Sequence, residues 1–129
     1  MSITSGEIGR LGEKKAQIYL FKNGYKIIET NFHSRRGEID IIAQKGDVIA
    51  FVEVKTRANN SLIDPVEAVD KTKAKKIIVT AQKYLTDKNI DLQPRFDVCE
   101  VMFNRFDMSF KVINYIKNAF SQEGDYAVF

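Results

Sequence analysis

Two short apolar segments joined by a tight turn constrain this chain more than any other feature. The segments span residues 37–43 (GEIDIIA) and 51–55 (FVEVK). Between them, Gly46-Asp47 suits a two-residue type II′ turn, which places glycine at its first central position. Both faces of the resulting hairpin carry apolar residues, a pattern typical of strands in the middle of a sheet with a helix on each side.

The register of this hairpin brings acidic residues together. With the two-residue turn, Asp40 faces Glu53 and Glu38 faces Lys55, and all four share one face because side chains alternate along a strand. The other face then takes four apolar residues, Ile39, Ile41, Val52 and Val54. Like charges directly across a strand pair are destabilising, whereas a hard cation between them converts the repulsion into binding. The hairpin is therefore interpreted as half of a metal site.

A helix is predicted before the hairpin, over residues of about 7–22, with Thr4 or Ser5 as its cap. Small and apolar residues recur at helical spacing and would let this helix approach a sheet closely: Gly9, Gly12, Ala16 and Leu20. Glu13 lies beside that face, so we expect it to be carried inward. A charge on the helix surface is the alternative interpretation.

The remaining elements give the order helix, three strands, helix, two strands. Strands are predicted over residues 25–32, 38–44, 48–56, 95–103 and 108–113. A second helix opens with Asp64 as its cap and continues to about residue 85, and a short helix is predicted over 114–120. This order predicts one α/β domain over residues 1–129, a central mixed sheet flanked by helices, and a loosely held tail after about residue 120.

Composition narrows the class of protein. The 129 residues are 44% hydrophobic and 29% charged, as in ordinary globular domains. The lone Cys99 excludes an intramolecular disulfide and a cysteine-rich zinc site, and its apolar surroundings favour a buried structural thiol. No stretch approaches the ~20 apolar residues that span a bilayer, and the N-terminus lacks a signal-peptide pattern. We therefore expect a cytoplasmic protein without a membrane partner.

Four side chains can converge in the predicted sheet: Glu13, Asp40, Glu53 and Lys55. This set suits metal-assisted phosphodiester hydrolysis, in which carboxylates hold one or two Mg²⁺ or Mn²⁺ ions against a phosphate oxygen. The carbonyl of Val54 could complete the ligand shell. The lysine is close enough to orient a water molecule or to stabilise charge on the phosphate oxygens.

The spacing Asp40…Glu53-Val54-Lys55 resembles the bipartite acidic motif of the PD-(D/E)XK nuclease superfamily. One branch is more similar still, the YraN family of small bacterial proteins, and the similarity covers most of the chain. It is carried by residues 9–13 (GRLGE), 37–40 (GEID), 51–57 (FVEVKTR), 65–69 (PVEAV), 95–98 (RFDV) and 116–120 (IKNAF).

The resemblance implies a restriction-endonuclease-like αβββαβ core similar to that of archaeal Holliday-junction resolvases. It also implies that Glu13, Asp40 and Glu53 are metal ligands and that Lys55 is the catalytic lysine. Glu38 then supports the ligands and can pair with that lysine. Analogy with the junction resolvases adds the expectation of a homodimer.

Positive charge flanks the acidic residues. Arg35 and Arg36 precede the hairpin and Arg57 follows Lys55, as contact with a phosphate backbone would require. Lysines crowd the second helix, and Lys73 and Lys76 are candidates for the same contact, although a solvated helix face explains them equally well. His33 is interpreted as a loop residue near the substrate. Asp97 is interpreted as structural.

Three functions remain open at this point. The first is a Mg²⁺- or Mn²⁺-dependent endonuclease acting on DNA, with branched or otherwise shape-defined DNA favoured because no feature reads base edges. The second is a nucleic-acid-binding module of the same fold that does not cut. The third is an interaction domain in which the acids form a structural salt bridge, since removing one partner of a buried ion pair costs about 3–5 kcal/mol.

Overall fold

The computed structural model describes residues 2–59 and 71–121. The elements in chain order are α1 (Ser5–Lys22), β1 (Lys26–Ser34), β2 (Gly37–Lys45), β3 (Val48–Ala58), α2 (Lys71–Asp87), β4 (Gln93–Asn104) and β5 (Ser109–Phe120). The predicted cap at Asp64, the start of the second helix and the tail beyond Ser121 lie outside the described residues. The predicted order of helix, three strands, helix and two strands is otherwise confirmed.

The five strands form one sheet in the order β1-β2-β3-β4-β5. Neighbours are antiparallel except β3 and β4, which are parallel and are connected through α2. The predicted α/β class and mixed sheet are confirmed, and the arrangement is consistent with a restriction-endonuclease-like core. Neither described helix combines the length and apolar character needed to cross a bilayer.

Each helix covers one face of the sheet. On one side, Ala16 and Leu20 of α1 pack with apolar residues of the central strands, including Val52. On the other side, Ala74 and Ile77 of α2 pack in a separate core. The strands in the middle of the sheet are therefore buried on both faces, as their sequence predicts.

The first helix is fixed at its start and held close to the sheet. Thr4 and Glu7 form a capping box, in which the Thr4 hydroxyl accepts from the Glu7 amide at 3.1 Å and the Glu7 carboxylate accepts from the Thr4 amide at 3.1 Å. Gly12 is so close to β3 that an added Cβ would lie 1.9 Å from Thr56 Oγ1. This contact sets how near Glu13 can come to the strands.

The hairpin register is the predicted one from Lys45–Val48 to Ile41–Val52. Gly46 has a φ of +60°, as the first central position of a type II′ turn requires. The ladder between β2 and β3 then ends, so the predicted pairing of Asp40 with Glu53 across it does not form.

The predicted alternation of faces is also wrong beyond this point. Ile39 packs in the core under α2, whereas Ile41 packs in the core under α1. Glu38 lies opposite His33 of β1 and not opposite Lys55. The alternation breaks where β2 passes Asn31 of β1, whose φ of +52° is left-handed.

The predicted short helix over residues 114–120 is wrong, because this segment continues β5. Tyr115 and Ile116 point to opposite cores, as strand residues do. Asn118 has a φ of +56° within an irregularity of the β4–β5 ladder, and its amide donates to Asp97 Oδ1 at 2.9 Å. A buried side chain on the neighbouring strand therefore holds this segment extended.

Candidate active site

Asp40 lies where β2 and β3 separate. Its Oδ2 accepts a hydrogen bond from the Val54 amide at 2.8 Å. A side chain thus replaces the backbone acceptor that a continued ladder would supply, and the opening in the sheet is fixed in place. The backbone of Val54 is next to the acidic residues, as predicted, with its N–H committed to Asp40.

Glu13 approaches Asp40 from the α1 side. It is within hydrogen-bonding reach of both the Asn31 side chain and Asp40. The contact of Gly12 with Thr56 brings this turn of α1 down to the sheet, and the left-handed residue Asn31 presents its amide at the same place. The inward orientation predicted for Glu13 is therefore found.

Glu53 approaches from the α2 side. It is buried, and its Oε1 forms an ion pair with the ammonium of Lys73 from the first described turn of α2. Although burial opposes it, the hydrogen bond and the charge of Glu53 raise the pKa of Lys73 above its ordinary value. The sequence predicts Lys73 as a nucleic-acid contact and gives no sign that it pairs with a predicted metal ligand.

The three carboxyl groups affect one another electrostatically. Burial, and next the charge of Glu53, raise the pKa of Asp40 to about 7, with Glu13 acting in the same direction. Burial likewise raises the pKa of Glu13, helped by the charges of Glu53 and Glu38. Two carboxyl groups within hydrogen-bonding reach of each other favour sharing a proton. Full ionisation of the acidic residues is thus unfavourable, and the Lys73 ammonium opposes this effect only in part.

Lys55 lies on β3 two residues after Glu53, in register with Glu100 of β4. Within the described parts of the chain its ammonium has neither a hydrogen bond nor an ion pair. Arg57 is different, because its guanidinium pairs with buried Glu100 at 3.4 Å. The structure therefore leaves Lys55 available beside the acidic residues and commits Arg57 to a neighbouring strand.

Glu38 does not pair with Lys55. Its carboxylate lies 3.1 Å from Nδ1 of His33, and both side chains are exposed. The ladder between β1 and β2 places these two residues opposite each other, which explains the contact. The charge of Glu38 still reaches Glu13 and Lys73, so it belongs to the surroundings of the site without touching Asp40.

A cation-lined cavity adjoins the acidic residues. It has a volume of about 620 Å³ and lies between the β1–β2 turn and the first described turns of α2. Its lining includes four of the five residues predicted to contact nucleic acid, together with His33: Arg35, Arg36, Lys73 and Lys76. Because Lys73 both lines this cavity and contacts Glu53, the cavity and the acidic residues are neighbours.

The donor set has the chemistry that Mg²⁺ and Mn²⁺ prefer, since it consists of carboxylates whose negative charge Lys73 compensates only in part. Within residues 2–59 and 71–121, however, no three acidic, histidine or cysteine side chains lie close enough together to coordinate one ion in the present arrangement. Glu53 is held by the Lys73 ammonium instead. An ion shared by Glu13, Asp40 and Glu53 requires Glu53 to exchange that ammonium for the metal.

Sequence reasoning missed two participants. Asn31 appears in the sequence as an ordinary strand residue, and only its left-handed backbone reveals its position beside Glu13. The link from Lys73 to Glu53 joins residues 20 apart through a long side chain. No local pattern specifies that pairing, although a lysine-rich helix following the acidic strands is a signal that such a counter-charge is available.

Comparison with other proteins agrees with the motifs. A family model described as Uncharacterised protein family UPF0102 matches residues 12–101. A UPF0102 protein of Caldanaerobacter subterraneus subsp. tengcongensis is 47% identical over 114 residues, which cover 88% of this chain and 93% of that relative. A UPF0102 protein of Clostridium tetani is 44% identical over 121 residues, covering 93% of this chain and 98% of the relative. The chain therefore belongs to the uncharacterised protein family UPF0102, which is the YraN family.

Proposed function

We propose that this protein is a Mg²⁺- or Mn²⁺-dependent endonuclease that hydrolyses phosphodiester bonds of DNA. The observation that carries the proposal is the position of Asp40 at the opening between β2 and β3, with Glu13 on one side and Glu53 on the other. A purely structural acid is surrounded by donors, whereas burial and, next, the neighbouring charge of Glu53 raise the pKa of Asp40 to about 7. Such an arrangement favours a cation as the missing partner.

Glu13, Asp40 and Glu53 are the residues that would hold the ion, and the Val54 carbonyl remains a candidate fourth ligand. When bound, such an ion polarises a phosphate oxygen and lowers the pKa of a coordinated water. The chain contributes a fixed Asp40, which its hydrogen bond from Val54 N at 2.8 Å keeps in position. It also contributes the burial that excludes competing water from Glu53.

Lys55 is proposed as the catalytic lysine. Its ammonium has no hydrogen bond or ion pair within the described residues, so it can meet a phosphate or a water molecule without breaking an existing contact. The cationic cavity beside the site supplies positive charge for the neighbouring phosphates of the strand. Recognition of backbone and shape follows, because these contacts carry no base information.

The test is cleavage of linear, nicked and four-way-junction DNA by purified protein with Mn²⁺ or with EDTA. We expect cleavage only with Mn²⁺, and a loss of at least about a hundredfold in Lys55→Ala, the scale on which single catalytic groups act. Lys111→Ala, which removes an exposed strand lysine on β5, is the matched control and should cleave normally. Cleavage that survives in EDTA or in Lys55→Ala would contradict the proposal.

One observation favours a second function, a nucleic-acid-binding module that does not cut. The ion pair between Lys73 and Glu53 gives the acidic residues a counter-charge from within the protein. In that case the wild type binds DNA equally with Mn²⁺ or EDTA and cleaves none of the panel. Calorimetric titration with Mn²⁺ separates the two functions independently of cleavage. The nuclease must bind Mn²⁺ with a measurable heat that disappears in Asp40→Asn, whereas the binding module has no such requirement.

A further inference from the structure

The cationic cavity has the dimensions of a site for a small ligand and not for a double helix. Its volume of about 620 Å³ lies within the ~300–1,000 Å³ of ordinary ligand pockets. One wall is the β1–β2 turn and the other is formed by the first described turns of α2. They meet at Gly37, where an added Cβ would lie 3.1 Å from Thr80 Oγ1 and 3.3 Å from Lys76 Cβ. The turn and the helix are thus in contact, and the cavity is closed there.

The lining combines cationic side chains, which can donate hydrogen bonds to phosphate, with an imidazole ring. Arg35 and Arg36 are exposed at the tip of the turn, and Lys76 lies on the facing helix. His33 at the rim presents an imidazole, one of the rings on which unpaired bases stack. The acid of the lining, Glu38, is held by that histidine at 3.1 Å. Cationic side chains around one imidazole suit a nucleic-acid strand with unpaired bases, because the cations can contact its phosphates while the imidazole stacks on a base.

The cavity leads to the acidic residues. Lys73 lines the cavity and contacts Glu53, so a strand seated in the cavity runs directly to them. A cavity of about 620 Å³, bounded where the turn and the helix meet at Gly37, is too small to take in two paired strands together. A single strand can follow the cleft and deliver its next phosphate to Asp40 and Lys55.

We infer that the cavity between the β1–β2 turn and α2 binds an unpaired stretch of nucleic acid beside the acidic residues. The inference takes nucleic acid as the ligand from the proposed function, on which it rests in this respect, and it specifies which part of a substrate the cavity binds. Substrates with a single-stranded segment, such as a flap, a gap or a frayed junction arm, are bound in preference to continuous duplex.

The experiment measures binding without hydrolysis. Fluorescence anisotropy in EDTA compares labelled oligothymidine with the same strand annealed to oligodeoxyadenosine. We expect the single strand to bind about tenfold more tightly, with Arg35→Ala/Arg36→Ala removing most of that preference. The control Lys88→Ala/Lys111→Ala removes the same number of exposed positive charges outside the cavity and should leave the preference unchanged.

The salt dependence of oligothymidine binding gives a second measurement of the arginine contacts, and it does not depend on absolute affinity. The slope of log K against log salt for oligothymidine should become shallower by about 1.4 in the double arginine variant, about 0.7 for each phosphate that an arginine no longer neutralises. Equal or tighter binding of the duplex, or an unchanged single-strand affinity in Arg35→Ala/Arg36→Ala, would overturn the inference. The binding measurements are made in EDTA and do not depend on cleavage. A protein that prefers single strands there but does not cleave DNA with Mn²⁺ would therefore contradict the nuclease proposal and support this inference.

Discussion

Two aspartates in the same sheet have opposite surroundings. Asp97 on β4 is completely buried, and its carboxylate accepts hydrogen bonds from the Arg95 guanidinium at 2.8 Å, the Tyr115 hydroxyl at 2.6 Å and the Asn118 amide at 2.9 Å. Asp40 on β2 accepts from one backbone amide, and the charges that act on it are two carboxylates, Glu53 and Glu13, and the more weakly acting ammonium of Lys73. Both are aspartates held by the same sheet, so the difference lies in what surrounds them.

The difference separates a carboxylate whose charge is compensated within the fold from one whose charge is compensated only in part. Donors surround Asp97 on all sides, and its charge joins β4 to an irregular part of β5. Acids surround Asp40, so folding brings together groups that repel. Such a cluster costs stability, and this cost is the reason why we propose a binding or catalytic role for it.

The largest expected effect is on the Asp97 side of the comparison. Asp97→Asn should lower the free energy of unfolding by about 3–5 kcal/mol, because the partly buried guanidinium of Arg95 loses its completely buried counter-charge. Urea unfolding followed by circular dichroism measures this. Asp87→Asn, on the exposed end of α2 where the carboxylate pairs with Lys83 at 3.0 Å, is the control and should change stability by less than about 0.5 kcal/mol. Equal effects of the two substitutions would contradict a structural role for Asp97.

Asp40→Asn should act in the opposite direction. The folded pKa of Asp40, about 7, lies above the ordinary value of 3.8, so the folded protein binds this proton more tightly than the unfolded chain does. Stability of the wild type should therefore fall as pH rises from about 4 to 7, and asparagine should remove that fall. Above pH 7 the variant should be more stable by about 2–4 kcal/mol, the scale of such a pKa shift.

Unfolding experiments across this pH range provide the measurement. Asparagine keeps an oxygen for the Val54 amide, so the hydrogen bond at 2.8 Å has an acceptor in both proteins. Below pH 4 the two should have nearly the same stability. A variant that is less stable than wild type at pH 8 would mean that the Asp40 charge supports the fold, as the Asp97 charge does.

The sequence predicted the hairpin because its determinants are local. Gly46 has the positive φ that its turn requires, and the apolar pattern sets the register as far as Ile41–Val52. The acids of the site were predicted from their spacing, which depends on the same register. Local chemistry therefore accounts for the hairpin as far as Ile41–Val52 and for the order of the surrounding elements.

The features that the sequence did not predict depend on distant contacts. The break in alternation at Asp40 involves Asn31 on another strand, and the extended form of residues 114–120 involves Asp97. The partner of Glu53 is a lysine on a helix later in the chain. In each case a side chain determines the backbone or the charge balance of a remote segment, and no periodicity in the local sequence records it.

Two glycines of α1 test how Glu13 reaches Asp40. Gly12→Ala should destabilise the protein by about 1–3 kcal/mol, because its Cβ would lie 1.9 Å from Thr56 Oγ1 and must push α1 away from β3. Gly9→Ala has nothing within 4 Å of the added Cβ and should be neutral or stabilising by up to about 1 kcal/mol. Thermal unfolding measures both. Mn²⁺ affinity should fall only in Gly12→Ala, because only that variant displaces Glu13.

The smallest expected effect concerns the counter-charge on Glu53. Lys73→Met removes the ammonium that contacts Glu53 while keeping an unbranched side chain as far as Cε. If a metal must displace that ammonium, Mn²⁺ should bind the variant about fivefold more tightly, which corresponds to about 1 kcal/mol for a half-exposed ion pair. Calorimetry without nucleic acid measures this, with Lys76→Met, a cavity lysine on the same helix, as the control. Weaker Mn²⁺ binding in Lys73→Met would mean that the lysine organises Glu53 for the ion and does not compete with it. The acidic residues around Asp40 would then resemble Asp97, because side chains of the protein itself would hold them in place.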